Sequence, residues 1–194
     1  MGGSNWFLTL FLAFALLERM YERRYNNQAI RGERRMEWSY VLLHGFYVVI
    51  FVASALEFVW RRRGLQLPVT ATGLGLFFVA LMVRLTAIRT LGKFWSLHLE
   101  IRPEHQLVTH GIYRHVRHPA YLAIMLEVVS VPLVANAFYT LAVTVGVYVP
   151  LLVLRWRREE KEMIEKFGER YEQYRRQVPA FLPRPWGTKG GARP

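Results

Sequence analysis

The sequence predicts an all-α, polytopic membrane protein with about five transmembrane helices and a cytoplasmic, amphipathic C-terminal helix. Three observations support this fold class. Apolar residues make up 53% of the 194 residues although the net charge is +12, these residues gather in long runs, and most Lys and Arg residues lie outside the runs. Such a charge in a water-soluble domain goes with a polar surface, so we expect the apolar runs to face lipid.

The apolar runs predict helices at about residues 4–20, 39–60, 67–90, 119–134 and 137–154. The second and third are close to the roughly 20 residues that span a bilayer core. The run from Ala120 to Leu154 has 35 residues, which is too long for one span, and Pro132 with Ala135-Asn136 predicts a turn between two short ones. A cleaved signal peptide is the alternative for the first run, but the basic residues that should precede a signal core are missing.

The distribution of basic residues predicts the orientation. Six Lys and Arg residues fall within 19–35, six within 84–117 and eleven from 155 onward. With five spans these three segments share one side, and the positive-inside rule makes that side cytoplasmic. Nucleic-acid binding is disfavoured because the charges flank membrane spans. Cysteine is absent, which excludes disulfides, thiolate metal ligands and a cysteine nucleophile.

The first cytoplasmic segment of interest, residues 91–121, precedes the fourth span. Short alternation in HLEIR and HQLVT suggests extended or irregular backbone, and Gly111 permits a tight bend. Pro119 fits the first turn of a helix, which places His118 at or just before the N-cap. The free backbone donors of such a helix end suit an anion, for example a ligand carboxylate.

The second segment, residues 155–183, follows the fifth span. Its apolar side chains recur at helical spacing and form one stripe on a charged helix: Met163, Ile164, Phe167, Tyr171 and Tyr174. The stripe favours packing over ligand binding, with the helix lying on the membrane or folding back over the first segment. Arg155 and Glu159 are four residues apart, so they share a face and can pair.

Several charged residues have plain structural explanations. Arg157 and Arg158 fit interfacial anchors. Four histidines are candidate metal ligands: His105, His110, His115 and His118. A metal site is disfavoured because the sequence has neither an HExxH pattern nor a thiolate ligand. Within the spans, Glu57 and Arg84 are near enough to the ends to snorkel. Glu127 lies about two turns inside the fourth span, where a structural partner such as Arg84 and a substrate contact explain it equally well.

Together the two segments resemble the isoprenylcysteine carboxyl methyltransferase family, small integral-membrane enzymes that use S-adenosylmethionine. The matching motifs, in order, are LG at 91–92, H-x-L-V at 105–108, G-x-Y at 111–113, R-H-P-x-Y at 117–121, Asn136, Arg155, Glu159-Glu160, F-G at 167–168, Y-x-x-Y at 171–174 and V-P with a following proline at 178–183. The family often has glycine where Ala123 stands, and the first three helices carry no motif.

The resemblance implies a cofactor-binding and catalytic region in 91–183. The chain length predicts one domain over 1–194, with three lipid-facing helices in 1–90, and the Gly/Arg/Pro-rich end predicts a disordered tail in 184–194. The resemblance also implies that Arg155 meets the substrate carboxylate and, with Glu159, forms the catalytic pair. The implied cofactor contacts are Glu100, His105, Gln106, Leu107, Val108, Tyr113, His118, Pro119, Ala120, Tyr121 and Glu159. The short chain is similar to prokaryotic members, which implies a cytoplasmic membrane with the site facing the cytoplasm.

The expected reaction is methyl transfer from S-adenosylmethionine to the carboxylate of a prenylated or similar hydrophobic substrate that arrives from the bilayer, leaving S-adenosylhomocysteine. The alternative enzyme is a phospholipid N-methyltransferase, whose ammonium substrate must first lose a proton and would be repelled by Arg155. A third possibility is a non-catalytic membrane adaptor whose basic face binds anionic lipids.

Overall fold

The computed structural model describes residues 2–28, 33–35, 37–61, 64–92, 95, 99–101 and 107–182. Its helices are α1 (Gly2–Gln28), α2 (Glu37–Arg61), α3 (Leu67–Leu91), α4 (Pro119–Ala135), α5 (Phe138–Val143), α6 (Val149–Phe167) and α7 (Glu169–Gln177). A π-helical turn, Thr144–Tyr148, joins α5 to α6 in one continuous helix. A 3₁₀ turn covers Gly111–Arg114, and two short strands pair antiparallel, β1 (Glu33–Arg35) and β2 (Leu99–Ile101).

Three helices of the described chain are long and apolar enough to cross a membrane: Val41–Arg61, Leu67–Leu91 and Phe138–Phe167. The helix α4 is apolar but has only 17 residues, about 26 Å at 1.5 Å per residue. The helix α1 is not among the three. The all-α membrane fold is therefore present, together with one small two-stranded ladder, while the number of five spans stays a prediction.

Helix α4 packs closely against α3. A Cβ atom added to Gly73 would lie 2.6 Å from the Val134 amide nitrogen, so only glycine permits this approach. The Thr70 hydroxyl also donates to the Val134 carbonyl, at 3.2 Å. Ala123 is fully buried.

The predicted turn after α4 is confirmed at Asn136, which adopts the left-handed conformation with φ +53°. Its side-chain oxygen accepts from the Gln66 amide at 2.6 Å, and its Nδ2 donates to the Thr70 hydroxyl at 2.8 Å. The expectation that Glu57 snorkels is wrong. Glu57 is buried and caps α5, since its carboxylate accepts from the Thr140 amide at 2.8 Å.

A cluster of charges joins α1, α2 and α3 to α4 inside the bundle. Glu127 is buried and accepts from Arg19, Arg84 and the Tyr47 hydroxyl. Arg84 also donates to Glu18 at 2.9 Å. The expected pairing of Glu127 with Arg84 is confirmed, and the expectation that Arg84 snorkels is wrong because only 2% of it is exposed. The first three helices therefore meet α4 through this ionic cluster, and contact of their other faces with lipid stays a prediction.

Glu127→Gln should destabilise the protein strongly. The substitution leaves the Arg19 and Arg84 guanidinium groups buried beside a neutral amide, and breaking a buried ion pair in this way costs about 3 kcal/mol. Reversible unfolding in mixed micelles measures the loss. Glu165→Gln, at an exposed position of α6, is the matched control and should change the free energy of unfolding little. Equal stability of the two variants would contradict the role given to the cluster.

Candidate active site

The chain bends sharply before α4. Gly111 has φ +59°, and a Cβ atom there would lie 2.8 Å from the Thr90 side chain. The 3₁₀ turn follows at once, His118 is the N-cap of α4 and Pro119 is its first residue. Both the predicted bend and the predicted helix start are confirmed. Because His118 and Pro119 are buried, the N-terminus of α4 is enclosed by other parts of the chain.

The C-terminal helices provide this enclosure. Helix α6 ends at Phe167, Gly168 takes φ +56°, and α7 turns back. The predicted apolar stripe packs together, as Tyr171 and Tyr174 lie in one cluster with Met163, Ile164, Phe167, Leu107 and Val178. Of the two arrangements expected for this helix, folding back over the segment that precedes α4 is the one observed.

Main-chain hydrogen bonds fasten the returning chain to the start of α4. The Arg117 amide donates to the Pro179 carbonyl at 2.9 Å, and the His118 amide donates to the Ala180 carbonyl at 3.0 Å. The Tyr174 hydroxyl donates to the Tyr113 carbonyl at 2.6 Å. These bonds hold the segment after α7 directly over the helix cap.

One carboxylate, Glu160, ties the two segments together. Arg117 donates to Glu160 Oε1 through Nη2 at 2.6 Å and Nε at 3.1 Å, and His118 Nε2 lies 3.2 Å from the same oxygen. Burial acts to raise the pKa of the Glu160 carboxyl, but the hydrogen bonds from His118 and Arg117 outweigh it and lower the pKa to about 2. The Glu160 carboxylate, which contacts Arg117, His118 and Tyr171, is therefore ionised across the physiological range.

The neighbouring carboxylate, Glu159, faces a different partner. It accepts from the Tyr121 hydroxyl at 2.6 Å. Tyr121 also interacts with the Arg155 guanidinium, one helical turn before Glu159 on α6. Arg155 and Glu159 thus approach the same buried tyrosine near the N-terminal end of α4. Direct pairing of Arg155 with Glu159 stays a prediction.

The remaining sides are aromatic and apolar. The His118 ring lies edge-on to Tyr121 and Trp156, with centroids 5.8 and 5.9 Å away, and Phe181 packs on Trp156 at 4.7 Å. Tyr113 packs on the other side against α3. Burial and the charge of Glu159 raise the pKa of the Tyr113 phenol, so this hydroxyl stays protonated and can donate.

The structure brings most of the sequence-predicted site residues around the start of α4. Leu107 joins the α7 cluster, Val108 and Ala120 join Tyr113 against α3, and His118, Pro119 and Tyr121 form the helix start. Glu100 lies in β2 of the two-stranded ladder, and its contact with a cofactor stays a prediction. His105 and Gln106 fall outside the described residues. Among the described side chains, no group of three His, Asp or Glu residues is arranged to hold a metal.

Sequence reasoning missed two parts of this site. Arg117 and Glu160 belong to the matching motifs, but the sequence predicts no role for them. Trp95 is not among the residues that the sequence predicts for the site. Arg117 and Glu160 are 43 residues apart, and no spacing rule connects a loop arginine to a distant helix. The sequence contains one signal for such a contact, the adjacent pair Glu159-Glu160. Adjacent residues of a helix point about 100° apart, so the two carboxylates need different partners.

The fold and the site define a class of protein, a helical integral-membrane protein with a polar site at one end of its bundle. Comparison with known proteins identifies a family within this class. The isoprenylcysteine carboxyl methyltransferase (ICMT) family model matches residues 73–165. Protein-S-isoprenylcysteine O-methyltransferase B of Arabidopsis thaliana is 29% identical over 163 residues, covering 80% of this chain and 82% of the relative. An uncharacterized protein of Haemophilus influenzae is 30% identical over 128 residues, covering 65% and 73%.

A solved structure agrees with the fold. The eukaryotic intramembrane Ras methyltransferase ICMT superposes with a TM-score of 0.59 at 23% identity, covering 71% of this chain and 52% of that chain. This chain therefore spans about half the length of that enzyme. The chain belongs to the isoprenylcysteine carboxyl methyltransferase family, which confirms the resemblance seen in its motifs and makes it a membrane methyltransferase.

The stability of the folded-back helix should depend on pH through Glu160. Its carboxyl pKa is lowered from 4.5 to about 2 on folding, so its contribution is complete above pH 4.5 and is lost as the pH falls toward 2. Between pH 6 and pH 3 we expect the thermal midpoint of the wild type to fall more steeply than that of Glu160→Gln. Glu172→Gln, whose pair with Arg176 is exposed, should follow the wild type. Parallel curves for Glu160→Gln and the wild type would rule the contribution out.

Proposed function

We propose that this protein uses S-adenosylmethionine to methylate the carboxylate of a prenylated cysteine or a similar hydrophobic acid, at the cytoplasmic face of the membrane. The observation that carries the proposal is the convergence of Arg155 and Glu159 on Tyr121. A guanidinium and a carboxylate on successive turns of one helix offer one group for a carboxylate substrate and one for the amino or hydroxyl groups of the cofactor.

The chemistry of the residues present fits S-adenosylmethionine. Glu159 supplies an acceptor for hydroxyl or ammonium groups, and the hydroxyls of Tyr113 and Tyr121 lie near it. In the described part of the chain no side chain caps the N-terminus of α4, so its first turn is proposed to bind the cofactor's carboxylate. Ala87, Ile88, Val108 and Ala120 give an apolar surface for a flat ring.

S-adenosylmethionine, when bound, supplies the methyl group from a sulfonium. The acceptor needs no general base, because a carboxylic acid with a pKa near 4 is already ionised at neutral pH. Both reacting charges fall toward neutral in the displacement, so exclusion of water by the aromatic side chains around His118 favours the transition state. Correct alignment contributes the rest, up to roughly 7 to 11 kcal/mol in favourable cases.

Arg155 is proposed to hold the acceptor. Its planar guanidinium matches a carboxylate with two parallel hydrogen bonds. Arg155 is the first charged residue after the uncharged stretch 138–154 of the long helix, so we expect it at the headgroup boundary. A lipid-linked acid reaches such a boundary with its tail still in the bilayer. An amine acceptor fits this position poorly, since it must lose a proton and would approach a fixed positive charge.

The proposal is tested by cofactor binding and by acceptor choice. Purified protein in detergent should bind S-adenosylhomocysteine in a calorimetric titration and should methylate a farnesylated cysteine analogue but not phosphatidylethanolamine. Absence of cofactor binding would refute a methyltransferase that uses S-adenosylmethionine. Methyl transfer to phosphatidylethanolamine alone would refute a carboxylate acceptor and would support the alternative, a phospholipid N-methyltransferase.

Arg155→Ala and Glu159→Ala should fail in opposite ways. Arg155→Ala should lower transfer to the farnesylated acceptor about 100-fold or more, because it removes the donors for the carboxylate, with little change in S-adenosylhomocysteine affinity. Glu159→Ala should weaken that affinity about tenfold or more, through loss of a charge-assisted hydrogen bond. Arg157→Ala, at an exposed neighbouring position, is the control for both. Loss of cofactor affinity in Arg155→Ala, or unchanged affinity in Glu159→Ala, would reject this division of roles.

A further inference from the structure

A buried tryptophan stands beside the site without a role in the chemistry described so far. Helix α3 ends at Leu91, Gly92 turns the chain with φ +50°, and the Trp95 amide donates to the Gly92 carbonyl at 3.0 Å. The turn returns the Trp95 side chain to α3, where it packs with Ala87, Ile88 and Tyr113. Only 4% of Trp95 is exposed.

The indole N–H of Trp95 is buried and has no acceptor among the described residues. An indole nitrogen can only donate, and buried donors in native proteins nearly always have a partner. An unpaired donor in an apolar cluster costs free energy, so its persistence calls for an acceptor that arrives with a ligand.

The surroundings of Trp95 specify the chemistry of that ligand. Among the described residues, the hydrophobic side chains of Leu91, Val108, Ile112 and Ala120 pack against the cluster around Trp95. Tyr113 belongs to the same cluster and is close enough to Glu159 for the two to interact electrostatically. A ligand that contacts both the Trp95 indole and Glu159 needs a flat, largely apolar ring. It needs an acceptor atom at the end near Trp95 and hydroxyl groups at the end near Glu159. An adenosyl group has this distribution, with ring nitrogens as acceptors and ribose hydroxyls as donors.

We propose that the Trp95 indole N–H donates to a ring nitrogen of the cofactor's adenine, with the apolar cluster of Ala87, Ile88, Val108, Tyr113 and Ala120 around that ring. This inference rests on the proposed function, because it assigns one part of the same cofactor. Trp95 is thus a cofactor-binding residue that selects for a heteroaromatic base with an acceptor in its ring.

Trp95→Phe tests the donor because it keeps an aromatic ring and removes only the N–H and part of the indole. We expect S-adenosylhomocysteine to bind about tenfold more weakly, the effect of one lost hydrogen bond to a buried acceptor. Trp60→Phe is the matched control, since Trp60 is 73% exposed on α2, and its affinity should equal that of the wild type. Equal affinity of Trp95→Phe and wild type would overturn the inference while leaving the proposed function intact.

Analogues of S-adenosylhomocysteine that lack N1, N3 or N7 of adenine identify the acceptor and do not depend on the variant. The wild type should bind one of the three about tenfold more weakly than the parent compound, and Trp95→Phe should bind that analogue and the parent equally well. If Trp95→Phe does not fold, the affinities of the wild type for the three analogues test the inference. The ¹⁵N-labelled indole resonance of Trp95 provides a second test, since it should shift when S-adenosylhomocysteine binds.

The failures of the two proposals can be told apart. Wild-type protein that does not bind S-adenosylhomocysteine at all overturns the proposed function and this inference with it. Wild-type protein that binds the parent compound and all three analogues equally, with an unmoved Trp95 resonance, overturns this inference alone.

Discussion

The ionic hydrogen bonds between Arg117 and Glu160 are the interaction on which the site depends. They join the residue before the N-cap of α4 to the middle of α6, across 43 positions of sequence. Glu160 also meets His118 and Tyr171, so one carboxylate fixes the loop, the helix start and the folded-back α7. Its neighbour Glu159 points to another side of α6 and is left to face Tyr121. Two adjacent glutamates thus divide a structural role, that of Glu160, from the binding role proposed for Glu159.

Buried charges inside the helical bundle also hold α4 in position. Glu127 lies on α4 and is held by Arg19 of α1, Tyr47 of α2 and Arg84 of α3. Burying these charges is costly, and the cost is offset only because each has a partner at close range. Gly73 adds a close backbone approach between α3 and α4. The position of α4 is therefore set by charge and by shape, which the hydrophobic effect alone does not do within a bilayer.

Local rules predicted the local structure well. Pro119 marked the start of α4, Asn136 marked the turn after it, and the spacing of Met163, Phe167 and Tyr171 marked the face that packs. The motif series located the residues that gather near Tyr121. These successes share one physical cause, since capping, turn formation and helical periodicity depend on residues close in sequence.

The long-range contacts were beyond the same rules. Nothing local to Arg19 points to Glu127, 108 positions away, and snorkelling was the reasonable expectation for Glu57 and Arg84 until partners appeared in the interior. The π-helical turn at Thr144–Tyr148 has no marker in the sequence. Trp95 had no motif at all, because an unpaired buried donor is visible only when its neighbours are in place.

The most direct measurement is a double-mutant cycle on Arg117 and Glu160, read by calorimetric affinity for S-adenosylhomocysteine. If their contact assembles the cofactor site, Arg117→Gln and Glu160→Gln should each weaken binding about tenfold or more, and the double variant should be no weaker than the worse single one. Losses that add in the double variant, or wild-type affinity in either single variant, would contradict the claim that this contact builds the site.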